Sequence, residues 1–114
     1  MSNLMYPKLD SLLVNSHIKI ITLCGSTKYK NTFLEINQIL TFHNKIVLMP
    51  GVYGHADNIT IKDTEKENLD KLHKEKIDMC DAILVLNIDN YIGYSTKTEI
   101  DYAKIKNKLI YYLC

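Results

Sequence analysis

Ile18-Lys19-Ile20-Ile21-Thr22-Leu23-Cys24 runs directly into Gly25-Ser26-Thr27-Lys28. The first segment is almost unbroken in apolar character, which suits a strand covered on both faces; a strand with one wet face would alternate. Gly25 and two hydroxyl residues end the run. A helical stripe follows, with Tyr29, Phe33, Ile36 and Leu40 spaced four, three and four apart. The pattern then repeats. Ile46–Met49 (IVLM), Ala82–Leu86 (AILVL) and Leu109–Leu113 (LIYYL) are further short apolar runs. Between them, Asp63–Met79 is charged on one side and carries Leu69, His73 and Ile77 on the other, while Thr96–Asn107 turns Ile100 and Ala103 inward. Strands alternating with helices predict an α/β fold. With right-handed crossovers, the expected architecture is a small doubly wound, Rossmann- or flavodoxin-like parallel sheet of four strands in the order 2-1-3-4, with helices on both faces.

A chain of 114 residues predicts one domain. We assign residues 17–114 to it and residues 1–16 to an N-terminal arm or short helix. Fourteen Lys and no Arg against 13 acids leave a net charge of +1. That balance argues against a general nucleic-acid or membrane-surface binder. It also restricts any phosphate site to Lys, hydroxyls and backbone N–H groups. Cys24, Cys80 and Cys114 are odd in number and far apart, with no CxxC or Cys/His cluster, so no zinc site and no other metal or cofactor is expected. Free thiols fit a reducing cytoplasm, where we expect the protein to reside. The N-terminal stretch lacks a signal-peptide pattern, and the apolar runs are far shorter than the ~20 residues of a membrane span.

In doubly wound sheets the ligand sits beyond the carboxyl ends of the strands. Three segments belong there: Cys24–Lys28, Met49–Asp57 with Gly51, Tyr53 and His55, and Asn87–Thr96 leading into Glu99. They hold all four glycines, Gly25, Gly51, Gly54 and Gly93. Gly25, Ser26, Thr27 and Lys28 form a strand-to-helix turn able to receive a phosphate, although Ser26 or Thr27 could equally cap the helix. Thr96 and Glu99 have the spacing of a capping box. Alternatively, Glu99 is a carboxylate in the first turn of a helix, where the dipole keeps it ionised and ready as a nucleophile. His73 is either a core residue or, raised by its helix toward the strand ends, a group for proton transfer near neutrality. Asp89 and Asn90 could hydrogen-bond a sugar or simply make a turn. Tyr53 and His55 could meet a base or a neighbouring subunit.

Three stretches carry a family resemblance: Leu23–Lys28, Asp78–Leu86, and Gly93-Tyr94-Ser95-Thr96-Lys97-Thr98-Glu99-Ile100-Asp101-Tyr102-Ala103. In this order and spacing they resemble the nucleoside 2-deoxyribosyltransferase family and its nucleoside 5′-monophosphate N-glycosidase-like branch, over Ile18 to Leu113. The last stretch is similar to the family's G…E-I/L-G-x-A signature, whose glutamate is the nucleophile. The resemblance implies that Glu99 attacks C1′ of a nucleoside or its 5′-monophosphate, and that the glycosyl-enzyme passes to water or to a second base. Ser26 and Lys28 would hold a 5′-phosphate together with Gly25 and Thr27. His73 would stand where the family carries an Asp, with Asp70 one turn earlier as an alternative, and Asp89 or Asn90 near the glutamate. Gly93, Ser95 and Thr96 would belong to the substrate-binding set. A homodimer or higher homo-oligomer is implied, because neighbouring subunits in the family complete such sites. The rival expectation is a nucleotide-binding sensor or sequestering protein of the same fold without chemistry.

Overall fold

The apolar runs become the strands of one parallel sheet. The structure, a computed structural model, describes residues 5–114, so the first four residues of the expected arm lie outside the described residues. Strands β1 (Ile20–Cys24), β2 (Ile46–Leu48), β3 (Ala82–Val85) and β4 (Leu109–Tyr112) stand in the order β2-β1-β3-β4. This is the order 2-1-3-4 expected from the sequence. All neighbours are parallel, with Ile20 opposite Ile46, Ile21 opposite Ala82 and Ala82 opposite Leu109.

Alternation along the central strands feeds two separate apolar layers. Ile21, Leu23, Ala82, Leu84 and Leu86 pack with helix α2 (Lys30–Phe42), through Phe33, Ile36 and Leu40. The short helix α1 (Leu9–Val14) adds Leu9 and Leu12 to this layer. On the opposite face, Cys24, Ile83 and Val85 pack with Ile77 of α3 (Asp63–Met79) and with Ile100 and Ala103 of α4 (Tyr94–Ile105). Each fully buried Leu, Ile or Phe contributes about 1.5–3 kcal/mol of burial, so most of the fold's stability resides in these layers. No helix among the described residues is long and apolar enough to cross a membrane.

Two polar features fix the ends of the sheet. Asp81, at the amino end of β3, accepts the backbone N–H groups of Lys19 and Ile20 at 2.8 Å each. Those two hydrogen bonds hold its carboxyl below the usual range. At the other end, Gly25 lets β1 turn sharply. A Cβ there would lie 3.1 Å from Leu86 Cβ and 3.3 Å from Leu86 O.

Candidate functional site

Beyond the carboxyl ends of the strands lies a cavity of about 970 Å³. Four segments wall it. The β1–α2 turn supplies Gly25, Ser26 and Thr27; the β2–α3 loop supplies Gly51, Gly54 and His55. Lys66, Asp70 and His73 reach it from one face of α3, since residues three and four apart share a helix side. Gly93, Ser95, Thr96 and Glu99 come from the start of α4.

Glu99 meets two of these elements. Its Oε1 lies 3.8 Å from His73 Nε2. His73 Nε2 lies 3.5 Å from Cys24 Sγ, and the donor atoms of Cys24, His73 and Glu99 all lie within 4.8 Å of one another. Strand register sets this up: Thr22 and Cys24 point to the α3 side, where Thr22 Oγ1 donates to Lys76 O at 2.9 Å and Cys24 meets His73 one turn earlier. The Leu23 backbone beside the imidazole favours its charged form, against the effect of burial.

Burial governs the charges here. Desolvation pushes Glu99 up to about 7; the Cys24 thiol beside it opposes this, and Asp70 adds to it by like-charge repulsion. Desolvation, helped by Lys76, lowers His73 to about 4. Burial and the neighbouring Glu99 carry the Cys24 thiol well above its ordinary value. Near neutrality His73 is therefore uncharged, and its contact with Glu99 is not an ion pair.

Three expectations are corrected by this geometry. Helix α4 begins at Tyr94, with Gly93 as its N-cap and no side-chain cap, so the Thr96–Glu99 capping box does not form. Thr96 is instead buried in the cavity wall. Glu99 consequently lies beyond the first turn, and its burial outweighs the helix dipole, so its pKa is raised and not lowered. His73 does not titrate near neutrality, because the same desolvation disfavours the imidazolium.

The other candidates divide between cavity and framework. Ser26 lines the cavity and also accepts the Lys28 backbone N–H at 3.4 Å, in a tight 3-10 turn (Thr27–Tyr29) that precedes α2. The Lys28 ammonium sits 4.0 Å above the Tyr91 ring, outside the lining. Tyr53 is buried against Phe33, edge to face at 5.5 Å between centroids, with no hydrogen-bond partner for its hydroxyl. Its ring therefore serves the core. Asp89 and Asn90 form an exposed turn with φ of 54° and 61°, outside the cavity wall. His55 stands exposed at the mouth. Sequence reasoning passed over Lys66, whose Nζ donates to Ser95 Oγ at 3.2 Å and pairs with Asp70 at 3.2 Å. Its four- and seven-residue spacings from Asp70 and His73 are the signal that could have found it. The expectation of no metal site rested on linear spacing; the fold brings one donor atom each of Cys24, His73 and Glu99 within 4.8 Å of one another.

No family model matches the sequence, and no curated protein matches it. Among solved structures, the chain is similar to a 2-desoxiribosyltransferase from Leishmania mexicana, with a TM-score of 0.61 and 19% identity. The match covers 82% of this chain and 63% of that one, so the chain spans less than two thirds of its structural neighbour. At this identity the likeness establishes a shared fold.

Proposed function

We propose that the protein cleaves or transfers the N-glycosidic bond of a (deoxy)nucleoside or its 5′-monophosphate through a glycosyl ester on Glu99. One observation carries this reading. The Glu99 carboxyl is released from any capping role and faces a cavity at the carboxyl end of the sheet, with a pKa of about 7. The cavity falls in the size range of small-molecule sites. The fold shared with a deoxyribosyltransferase supports the same chemistry.

The chemistry follows from the residues. Near neutrality about half of Glu99 is ionised, with the Cys24 thiol beside it. Attack of a Glu99 oxygen on C1′ forms the ester as the N-glycosidic bond breaks, through an oxocarbenium-like transition state. A proton from solvent neutralises the departing base, with the ionised Asp70, on the cavity face of α3, placed to accept it from water and pass it on. Neutral His73 packs beside Glu99 as a positioning residue, in place of the proton donor considered from sequence. Water or a second base then displaces Glu99, and the two inversions retain configuration. The Gly25–Thr27 turn offers its backbone N–H groups and hydroxyls to a 5′-phosphate. Leu72, Ile59 and Tyr94 form an exposed apolar collar at the mouth, which a second copy of the chain would cover.

The test is incubation with a panel of nucleosides and 5′-monophosphates, with free base detected by chromatography. Acid-quenched protein is weighed in parallel by mass spectrometry. We expect base release and a glycosyl adduct with the wild type, and neither with Glu99→Gln. Equal behaviour of the two proteins across the panel overturns the catalytic reading. Tight binding of intact nucleotide without turnover would identify the non-catalytic sensor.

A further inference from the structure

Three donors of different chemistry, each from a different element, converge at the cavity wall, which His73 and Glu99 line and behind which Cys24 is fully buried. Cys24 comes from the end of β1, His73 from the middle of α3 and Glu99 from the second turn of α4. The Sγ–Nε2 distance is 3.5 Å and the Nε2–Oε1 distance 3.8 Å, and all three donor atoms fit within 4.8 Å. A tetrahedral zinc ion, bound at about 2.3 Å to sulfur and about 2.0–2.1 Å to nitrogen or oxygen, separates its ligand atoms by roughly 3.3–3.6 Å. The sulfur–nitrogen pair already has this spacing. The carboxylate has to move in toward both, from 3.8 Å to the nitrogen and from within 4.8 Å to the sulfur.

Charge and softness agree with the geometry. A thiolate, a carboxylate and a neutral imidazole together carry two negative charges, which a divalent ion cancels, leaving a buried set without net charge. Calcium and magnesium prefer cages of oxygen, whereas sulfur and imidazole donors select zinc. The Leu23 backbone lies beside the imidazole, where an outer contact orients a ligating His.

We propose that Cys24, His73 and Glu99 bind one zinc ion through Sγ, Nε2 and a carboxylate oxygen, with the fourth coordination position facing the cavity. Binding forms one Zn–S, one Zn–N and one Zn–O bond. It displaces to solvent the thiol proton and any proton on the carboxyl. The ion takes the lone pair needed to attack C1′, so zinc and substrate compete for Glu99. That last consequence rests on the glycosyl reading above, whereas the binding does not.

The test titrates the chelator-stripped full chain with Co²⁺ and then with Zn²⁺. One ion per chain is expected, with tetrahedral cobalt absorption and a thiolate-to-cobalt charge-transfer band that Zn²⁺ abolishes. Cys24→Ser should lose the charge-transfer band, and His73→Gln should weaken binding by at least about tenfold. Circular dichroism checks each variant's fold, and the surface substitution His43→Gln should bind as the wild type does. Absence of a thiolate band in the wild type overturns the proposal, whatever the variants do. So does undiminished zinc affinity in Cys24→Ser. A thiolate band in a protein that releases no base would sink the glycosyl reading and leave the zinc site standing; base release without the band would do the reverse.

Discussion

Replacing Glu99 by Gln should stabilise the protein at alkaline pH and leave it nearly unchanged in acid. The folded carboxyl titrates at about 7 against an ordinary value of 4.5. A group with a raised folded pKa contributes stability that is fully present below the unfolded pKa and is lost as pH rises through the folded one. At about 1.36 kcal/mol per pH unit, Glu99 forfeits about 3 kcal/mol between acid and about pH 8. His73 does the opposite: its folded value of about 4 lies below the ordinary 6.5, so its contribution is present above 6.5 and lost as pH falls toward 4. Between 4.5 and 6.5 the two cancel, because the folded protein keeps one proton on Glu99 while the unfolded chain carries it on His73. The uncharged amide of the Glu99→Gln variant has no such liability. Urea unfolding from about pH 4 to about pH 8, in buffer containing a chelator, reads the difference through the midpoint and slope. We expect Glu99→Gln to match the wild type near pH 4 and exceed it by about 3 kcal/mol near pH 8. His73→Gln should expose the mirror image, with stability falling from about pH 4.5 to about pH 7. A difference between Glu99→Gln and wild type that does not vary with pH would refute the assignment of the buried proton.

Tyr53→Phe removes a buried hydroxyl without a partner; thermal unfolding should show equal or greater stability, by up to about 1 kcal/mol. Gly25→Ala presses a methyl group to 3.1 Å from Leu86 Cβ; it should cost about 1–2 kcal/mol in chemical denaturation and weaken substrate binding at the turn. For Lys28→Ala, a charge-assisted phosphate bond of about 1.5–3 kcal/mol offset by the lost ring contact of about 0.5–1 kcal/mol leaves a net loss near 1 kcal/mol. Calorimetry should find monophosphates bound roughly fivefold more weakly and nucleosides unchanged; equal losses would remove Lys28 from the phosphate role.

The strands were legible because their burial on both faces leaves continuous apolar runs, a signal that survives without any partner in view. Ile21 to Leu23 and Ala82 to Val85 needed no tertiary knowledge. The helix stripes of Phe33, Ile36 and Leu40 and of Ile100 and Ala103 were equally plain. Boundaries were harder. Tyr94 and Ser95 resemble loop residues, and only the extended Gly93 shows that the helix starts there. That offset of two residues decides whether Glu99 caps its own backbone or faces the cavity. Charge states were not legible at all, since the pKa directions of Glu99 and His73 come from water excluded by distant segments. Tyr53 shows the same limit: glycines on either side of a short segment suggest an open loop, yet Phe33, twenty positions earlier, draws the ring inside.

The division of β1 between two layers makes the thiol's placement a matter of parity. Leu23 belongs to the α1–α2 side and Cys24 to the α3–α4 side. Inserting a single residue upstream within this strand, with its hydrogen-bonded frame kept, would exchange them. The sulfur would then be sealed beneath Phe33, and a leucine would stand against the imidazole. Reactivity in this molecule is thus inherited from counting along a strand: odd steps move the thiol to the other layer, and only even ones keep its side.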